Sequence, residues 1–161
     1  MSDLNVLFRK RIGFPEQEKL TFENLYELLV RTAEKIPFEN LCIMENRTRK
    51  LSNESVMDNE GGLCYELNHI LYLFLKENGF DTTLVSGVVY NQMKQEWSKT
   101  GKTHVAIVIQ HKGKFFLVDT GFGGNLPLKP VPLSGETVSS ANGDFRVEPV
   151  KNEHGDYLLH M

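Results

Sequence analysis

The chain has 161 residues, 40% of them hydrophobic and 24% charged, which is enough to bury one core or two small ones. A net charge of −3 argues against a nucleic-acid partner, because such binders carry a basic excess. No apolar run nears the ~20 residues that cross a bilayer, and the opening Met1-Ser2-Asp3-Leu4-Asn5 lacks the layout of a signal peptide, so a cytoplasmic protein with no membrane partner is expected.

The first half reads as helical. Between Leu20 and Lys35, Phe22, Leu25, Tyr26, Leu28, Leu29 and Ala33 recur at helical period, with Thr21 as the N-cap and Pro37 ending the run. A second helix is predicted from about Leu63 to Asn78, lined by Leu63, Leu67, Ile70, Leu71 and Phe74, with Gly79 as the left-handed residue at its C-terminus. Two basic clusters, Arg9-Lys10-Arg11 and Arg47-Thr48-Arg49-Lys50, read as solvated faces.

Beyond Gly79 the period changes to two, and Val, Thr, Phe and Ile alternate with Gly and Pro. Strands are predicted at Thr82 to Tyr90, Thr103 to Ile109, Lys114 to Asp119, Phe145 to Val150 and Tyr157 to His160, with loops that include Pro127 to Pro132. Helices followed by antiparallel strands make an α+β protein, divided into a helical unit at 1–80 and a β unit at 81–161.

The two cysteines, Cys42 and Cys64, are too few for a disulfide scaffold, and no spacing suggests a metal site. Cys64 follows Gly61-Gly62 at the head of the second helix. The positive end of the helix dipole and the unpaired N–H groups there favour a thiolate. Cys42 follows a turn, has no helix start around it, and is assigned to packing.

His104 alternates with Ala106 and Val108 on one strand, and Asp119 with Leu117 and Phe115 on the next. A four-residue loop, Gln110-His111-Lys112-Gly113, pairs Ile109 with Lys114 and so sets His104 directly opposite Asp119 on one sheet face. A loop of Lys112-Gly113 alone would make the two diagonal neighbours instead. In either register a carboxylate lies close enough to orient an imidazole, and a cysteine at a helix head supplies the nucleophile that such a pair serves.

In chain order, Arg11-Ile12-Gly13, Ile36-Pro37-Phe38-Glu39-Asn40-Leu41, Gly61-Gly62-Leu63-Cys64-Tyr65-Glu66-Leu67-Asn68, Thr103-His104 and Val118-Asp119-Thr120-Gly121-Phe122-Gly123 resemble the arylamine N-acetyltransferase family over almost the whole chain. The resemblance implies a helical bundle carrying the cysteine, an antiparallel β-barrel-like domain carrying His and Asp as in cysteine proteases, and a third domain. It implies Cys64 as the acetyl-accepting nucleophile, His104 as base and acid, and Asp119 as the residue orienting His104. Acetyl-coenzyme A is the implied co-substrate, met at Thr100 and Gly101, and no metal is implied. The implied acceptor is an arylamine or hydrazine, met at Thr103, His104 and Phe122, in a role in xenobiotic metabolism. Gly123-Gly124 would approach the pyrophosphate, and a basic cluster is a second candidate for a coenzyme A phosphate.

Two departures from the family pattern stand out. Family members carry Arg before the glycine pair, whereas this chain has Glu60, whose carboxylate would disfavour a thiolate if it pointed toward Cys64. The chain also stops at Met161, near the end of the β part, so the third domain is expected to be absent, with weaker coenzyme A binding and self-association through uncovered surface. A cysteine hydrolase or amidase using the same triad, or an inert fragment, are the alternative readings.

Overall fold

Helix formation begins earlier than the periodicity indicates. In the computed structural model, which describes residues 2–46 and 60–161, α1 spans Asp3–Ile12, with the Ser2 hydroxyl accepting from Asn5 N–H at 3.3 Å and Gly13 in the left-handed conformation beyond its end. Its buried face, Asn5, Phe8, Arg9 and Ile12, has helical spacing but includes a cation. Arg9 is therefore no solvated residue. Its guanidinium donates to Asn5 Oδ1 at 2.8 Å, to the carbonyls of Pro15 and Glu18 at 2.6 and 3.0 Å, and to Asn78 Oδ1 at 2.8 Å, and it lies over the rings of Phe14 and Phe74. Every partner is neutral, so it is hydrogen bonds and ring faces that offset the cost of burying this charge. The second basic cluster, Arg47 to Lys50, lies outside the described residues.

The helix expected from Leu20 starts instead with a 3₁₀ turn at Phe22–Asn24, where Asn24 Oδ1 accepts from Thr21 N–H and hydroxyl at 2.9 and 2.8 Å. It continues as α2, Leu25–Lys35, which buries Leu25, Leu28, Leu29 and Thr32. Tyr26 faces outward under Lys129, which sits 5.3 Å from its ring centre. A single turn, α3, covers Leu41–Met44, and α4 covers Cys64–Glu77, with Gly79 at φ 85° as expected.

Among the described residues nine strands follow: β1 (Asp81–Gly87), β2 (Tyr90–Asn91), β3 (Glu96–Trp97), β4 (His104–His111), β5 (Lys114–Val118), β6 (Val131–Pro132), β7 (Thr137–Ser140), β8 (Gly143–Asn152) and β9 (Gly155–His160). They form antiparallel sheets ordered β1-β4-β5-β6, β2-β3 and β7-β8-β9. The expected barrel is not closed among the described residues. Strand β6 is two residues long and pairs only with β5, and Pro132 has no N–H with which to extend the ladder toward β8.

Ile107, Ile109 and Val118 pack into one cluster with Phe8, Ile12, Leu25, Leu28, Leu71 and Phe74, so the four-stranded sheet and the helices share a core. Leu117, on the opposite face, packs with Val131, Phe145 and Val147 of the second cluster. The ends of β4 and β5 are thus pinned over α4.

The hairpin register differs from the expected one. The ladder joins His111 to Lys114 and Ile107 to Val118, leaving only Lys112 and Gly113 in the turn, both with positive φ (49° and 76°). Such a turn matches the twist of the strands, and that outweighs the cost of a lysine in the left-handed region. His104 and Asp119 are consequently diagonal neighbours.

Three surface carboxyls are held below their ordinary value of 4.5: Glu23 by hydrogen bonds from its own backbone N–H and the Thr21 hydroxyl, Glu77 by hydrogen bonds from the Ser2 hydroxyl and N–H, and Glu148 by His160, at 2.9 Å, and Arg146. A depressed carboxyl contributes stability that is fully present above its unfolded pKa and is lost as pH falls through the folded one. The urea midpoint is therefore expected to decline more gently below pH 4.5 in Glu148→Gln than in the parent. Parallel declines would remove Glu148 from the acid limb.

Candidate active site

The turn before α4 is built by backbone packing. Gly62 N–H donates to the Pro37 carbonyl and Glu39 N–H to the Gly62 carbonyl, both at 3.0 Å, so the Ile36-to-Leu41 segment runs parallel against the glycine pair. A Cβ on Gly61 would stand 1.9 Å from the Pro37 oxygen, which leaves room for no side chain. The N-cap, Leu63, has no polar side chain, and Glu66 compensates by accepting the Leu63 N–H at 2.8 Å. Cys64 is thereby fixed as the first residue of α4, buried at 9% exposure.

From the sheet side, His104 Nε2 meets Asp119 Oδ2 at 2.5 Å. Asp119 is 2% exposed, and its other oxygen accepts from Asn68 Nδ2 at 2.9 Å and from Gly121 N–H at 2.8 Å. Three donors on one buried carboxylate satisfy it. The thiol of Cys64 donates to the Thr103 carbonyl at 3.5 Å, next to His104.

The loop after β5 reaches the helix head because residue 121 is glycine. A Cβ there would lie 2.5 Å from Cys64 Cα and 2.8 Å from Asn68 Nδ2. Gly121→Ala is expected to push the loop off α4, at a cost of roughly 1–3 kcal/mol, and to slow alkylation of Cys64. Thermal melts and iodoacetamide kinetics read the two effects; values equal to those of the parent in both would refute the close approach.

Of the residues singled out from the sequence, Cys64, Thr103, His104 and Asp119 converge, and the Phe122 ring stands edge-on to His104 at 5.3 Å between centroids. Thr100 and Gly101 belong to the turn leading into β4. Thr100 shares a hydrogen bond with the Ser98 hydroxyl at 2.7 Å, and the Gly101 carbonyl accepts from Thr103 N–H at 2.9 Å. Gly123 packs against the Phe38 ring, where a Cβ would stand 2.9 Å from it.

One Glu60 oxygen accepts from the Cys42 thiol at 3.7 Å, so that oxygen faces the other cysteine. Cys42 is buried, as its packing assignment requires, but it also has this polar partner. Among the described residues, no cluster of three or more His, Cys, Asp or Glu side chains could hold a metal ion, and no helix is long and apolar enough to cross a membrane.

Asn68 is the site residue that the sequence reading left without a role. It is fully buried, and two sequence signals could have marked it: its spacing of four from Cys64, which puts it on the same face of α4, and its place at the end of the Gly61-to-Asn68 segment.

The profile of a family described as N-acetyltransferase matches residues 21–161. An uncharacterised acetyltransferase of Bacillus subtilis is 39% identical, over all of this chain and 65% of its own length. A probable arylamine N-acetyltransferase of Dictyostelium discoideum is 31% identical, over 94% of this chain and 52% of its own length. The crystal structure of an arylamine N-acetyltransferase from Bacillus cereus, described as having a unique Cys-His-Glu catalytic triad, superposes with a TM-score of 0.92 at 41% identity, covering 99% of this chain and 64% of that one. Arylamine N-acetyltransferase C of Bacillus anthracis superposes with a TM-score of 0.93 at 37% identity and the same coverage. The chain thus spans between about half and two thirds of the length of these proteins.

Proposed function

The chain belongs to the arylamine N-acetyltransferase family, and from that premise we propose that it moves an acetyl group from acetyl-coenzyme A to the nitrogen of an arylamine or hydrazine by way of Cys64. The observation that carries this reading is that the Cys64 thiol at the head of α4 meets the Thr103 carbonyl, at the strand end that bears the His104–Asp119 pair.

His104 gives its Nε2–H to Asp119, so the neutral ring keeps its lone pair on Nδ1 as the base for the thiol. The Cys64 sulfur attacks the thioester carbonyl carbon as His104 takes the thiol proton. The carbon–sulfur bond to coenzyme A breaks, and the leaving thiolate collects that proton from the imidazolium, which leaves acetyl-Cys64. An amine then attacks the same carbon, His104 removes the proton from its nitrogen, and Cys64 departs as the leaving group. In this reading Asp119 orients the ring, Thr103 and Phe122 border the acceptor, and Thr100-Gly101 meet coenzyme A. An arylamine ring would stack on or against Phe122, which is only partly buried.

Intact-protein mass after mixing with acetyl-coenzyme A tests the first step. One acetyl group should appear on the peptide bearing Cys64 and disappear when an arylamine is added. Loss of the adduct at the same rate with and without amine would mean hydrolysis and would refute transfer.

A further inference from the structure

We infer that Asn68 is a positioning residue that holds the three elements bearing Cys64, His104 and Asp119 in one arrangement. The inference rests on the acetyl-transfer reading for its purpose, although the geometry stands by itself. Asn68 sits one turn after Cys64 on α4 and is 0% exposed. Its Nδ2 donates to the Val105 carbonyl at 2.6 Å and to Asp119 Oδ1 at 2.9 Å, while its Oδ1 accepts from the Thr120 N–H at 2.9 Å and the Thr120 hydroxyl at 3.1 Å.

A primary amide has two N–H donors and one oxygen with two lone pairs, and here all four are used. A buried amide whose only work was to stabilise the core would need partners, but no particular ones. These partners are Asp119 itself, the residue after it and the residue after His104. Each is separated from Asn68 by 37 to 52 positions in sequence, so local chain geometry plays no part in bringing them together.

The chemistry of position 68 is narrowly set. Aspartate has the same shape but donates nothing, and it would set a second carboxylate against Asp119 Oδ1. Leucine of similar volume would leave the Val105 carbonyl and Thr120 N–H unpaired in the interior. Serine is too short to span the strand end and the loop together. Without Asn68, the Asp119 carboxylate keeps only Gly121 N–H on Oδ1 and can swing, carrying the His104 ring away from Cys64.

The test uses the full chain with three substitutions: Asn68→Asp, Asn68→Ser and, as a core control on the same helix, Leu71→Ala. Each is melted thermally, and its Cys64 is alkylated with iodoacetamide across a pH series and followed by mass. Asn68→Asp is expected to alkylate on the order of 10²-fold more slowly at neutral pH, because the His104–Asp119 pair is no longer held at the strand end that meets the thiol, with a pH profile moved toward that of an ordinary cysteine. Leu71→Ala, comparably destabilised, keeps the parent profile. Asn68→Ser supplies the same comparison if the buried carboxylate prevents a cooperative melt.

Folded Asn68 variants that share the parent's alkylation profile would overturn the inference. Alkylation reads the site without acetyl-coenzyme A, so the two readings fail separately. A parent chain that forms no acetyl adduct while its alkylation depends on Asn68 loses the acetyl-transfer reading and keeps this one. A parent that acetylates while Asn68 variants alkylate normally does the reverse.

Discussion

Cys64→Ala is expected to abolish acetyl transfer, with a fall on the order of 10⁴-fold or more, while Cys42→Ala leaves the rate within about two-fold. The two cysteines are a matched pair: both are free and both are buried. They differ in setting. Cys64 is the first residue of a helix of 14 residues, at the positive end of its dipole, and the strand end carrying His104 lies against it. Cys42 lies in a helix of four residues, too short for a useful dipole, and its polar partner is the Glu60 carboxylate. Removing its sulfur should cost about 1 kcal/mol of stability and nothing in chemistry. Steady-state turnover with acetyl-coenzyme A and an arylamine, beside the acetyl adduct by mass, decides the matter. Equal losses in the two variants would end the assignment of Cys64 as nucleophile.

Asp119→Asn should be nearly as severe, lowering turnover on the order of 10³- to 10⁴-fold with the melting temperature little changed. The structure supplies the reason. Asn68 Nδ2 and Gly121 N–H both donate to Asp119 Oδ1, so an amide at 119 places its oxygen there. Its NH₂ must then point at His104 Nε2, the atom that now donates to Asp119 Oδ2. An amide N–H facing Nε2 makes that nitrogen the acceptor, and the ring proton moves to Nδ1, where it can no longer take a proton from Cys64. Nitrogen chemical shifts of the His104 ring would show the change of tautomer directly. A variant with an unchanged tautomer and a turnover near that of the parent would show that Asp119 does not orient the ring.

Much of this arrangement was legible because it is local. The periodicity of Leu67, Ile70, Leu71 and Phe74 located α4 to within a residue at each end, and that placement put Cys64 at a helix head. Alternation located β4 and β5 and kept His104 near Asp119 under either turn length, since a shift of two residues preserves the face. The exact register was not legible, because it depended on Lys112 adopting a left-handed conformation for which its side chain shows no preference. Helix α1 escaped notice because its buried face contains Arg9, and a charged residue reads as surface until its hydrogen-bond partners are known.

By itself the sequence determined α2, α4 and the strands β1, β4, β5, β8 and β9, the helix-head cysteine and the family resemblance, all of which follow from short-range spacing and side-chain type. The tertiary structure alone decided the orientations that depend on contacts between distant segments. It set one Glu60 oxygen toward Cys42, closed the backbone of Pro37 and Glu39 onto Gly62, and opened the β sheets where a barrel was expected. It also joined Asn68 to Val105, Asp119 and Thr120. A buried polar atom must find a partner wherever the packed chain provides one, and no periodicity in the sequence records where that will be.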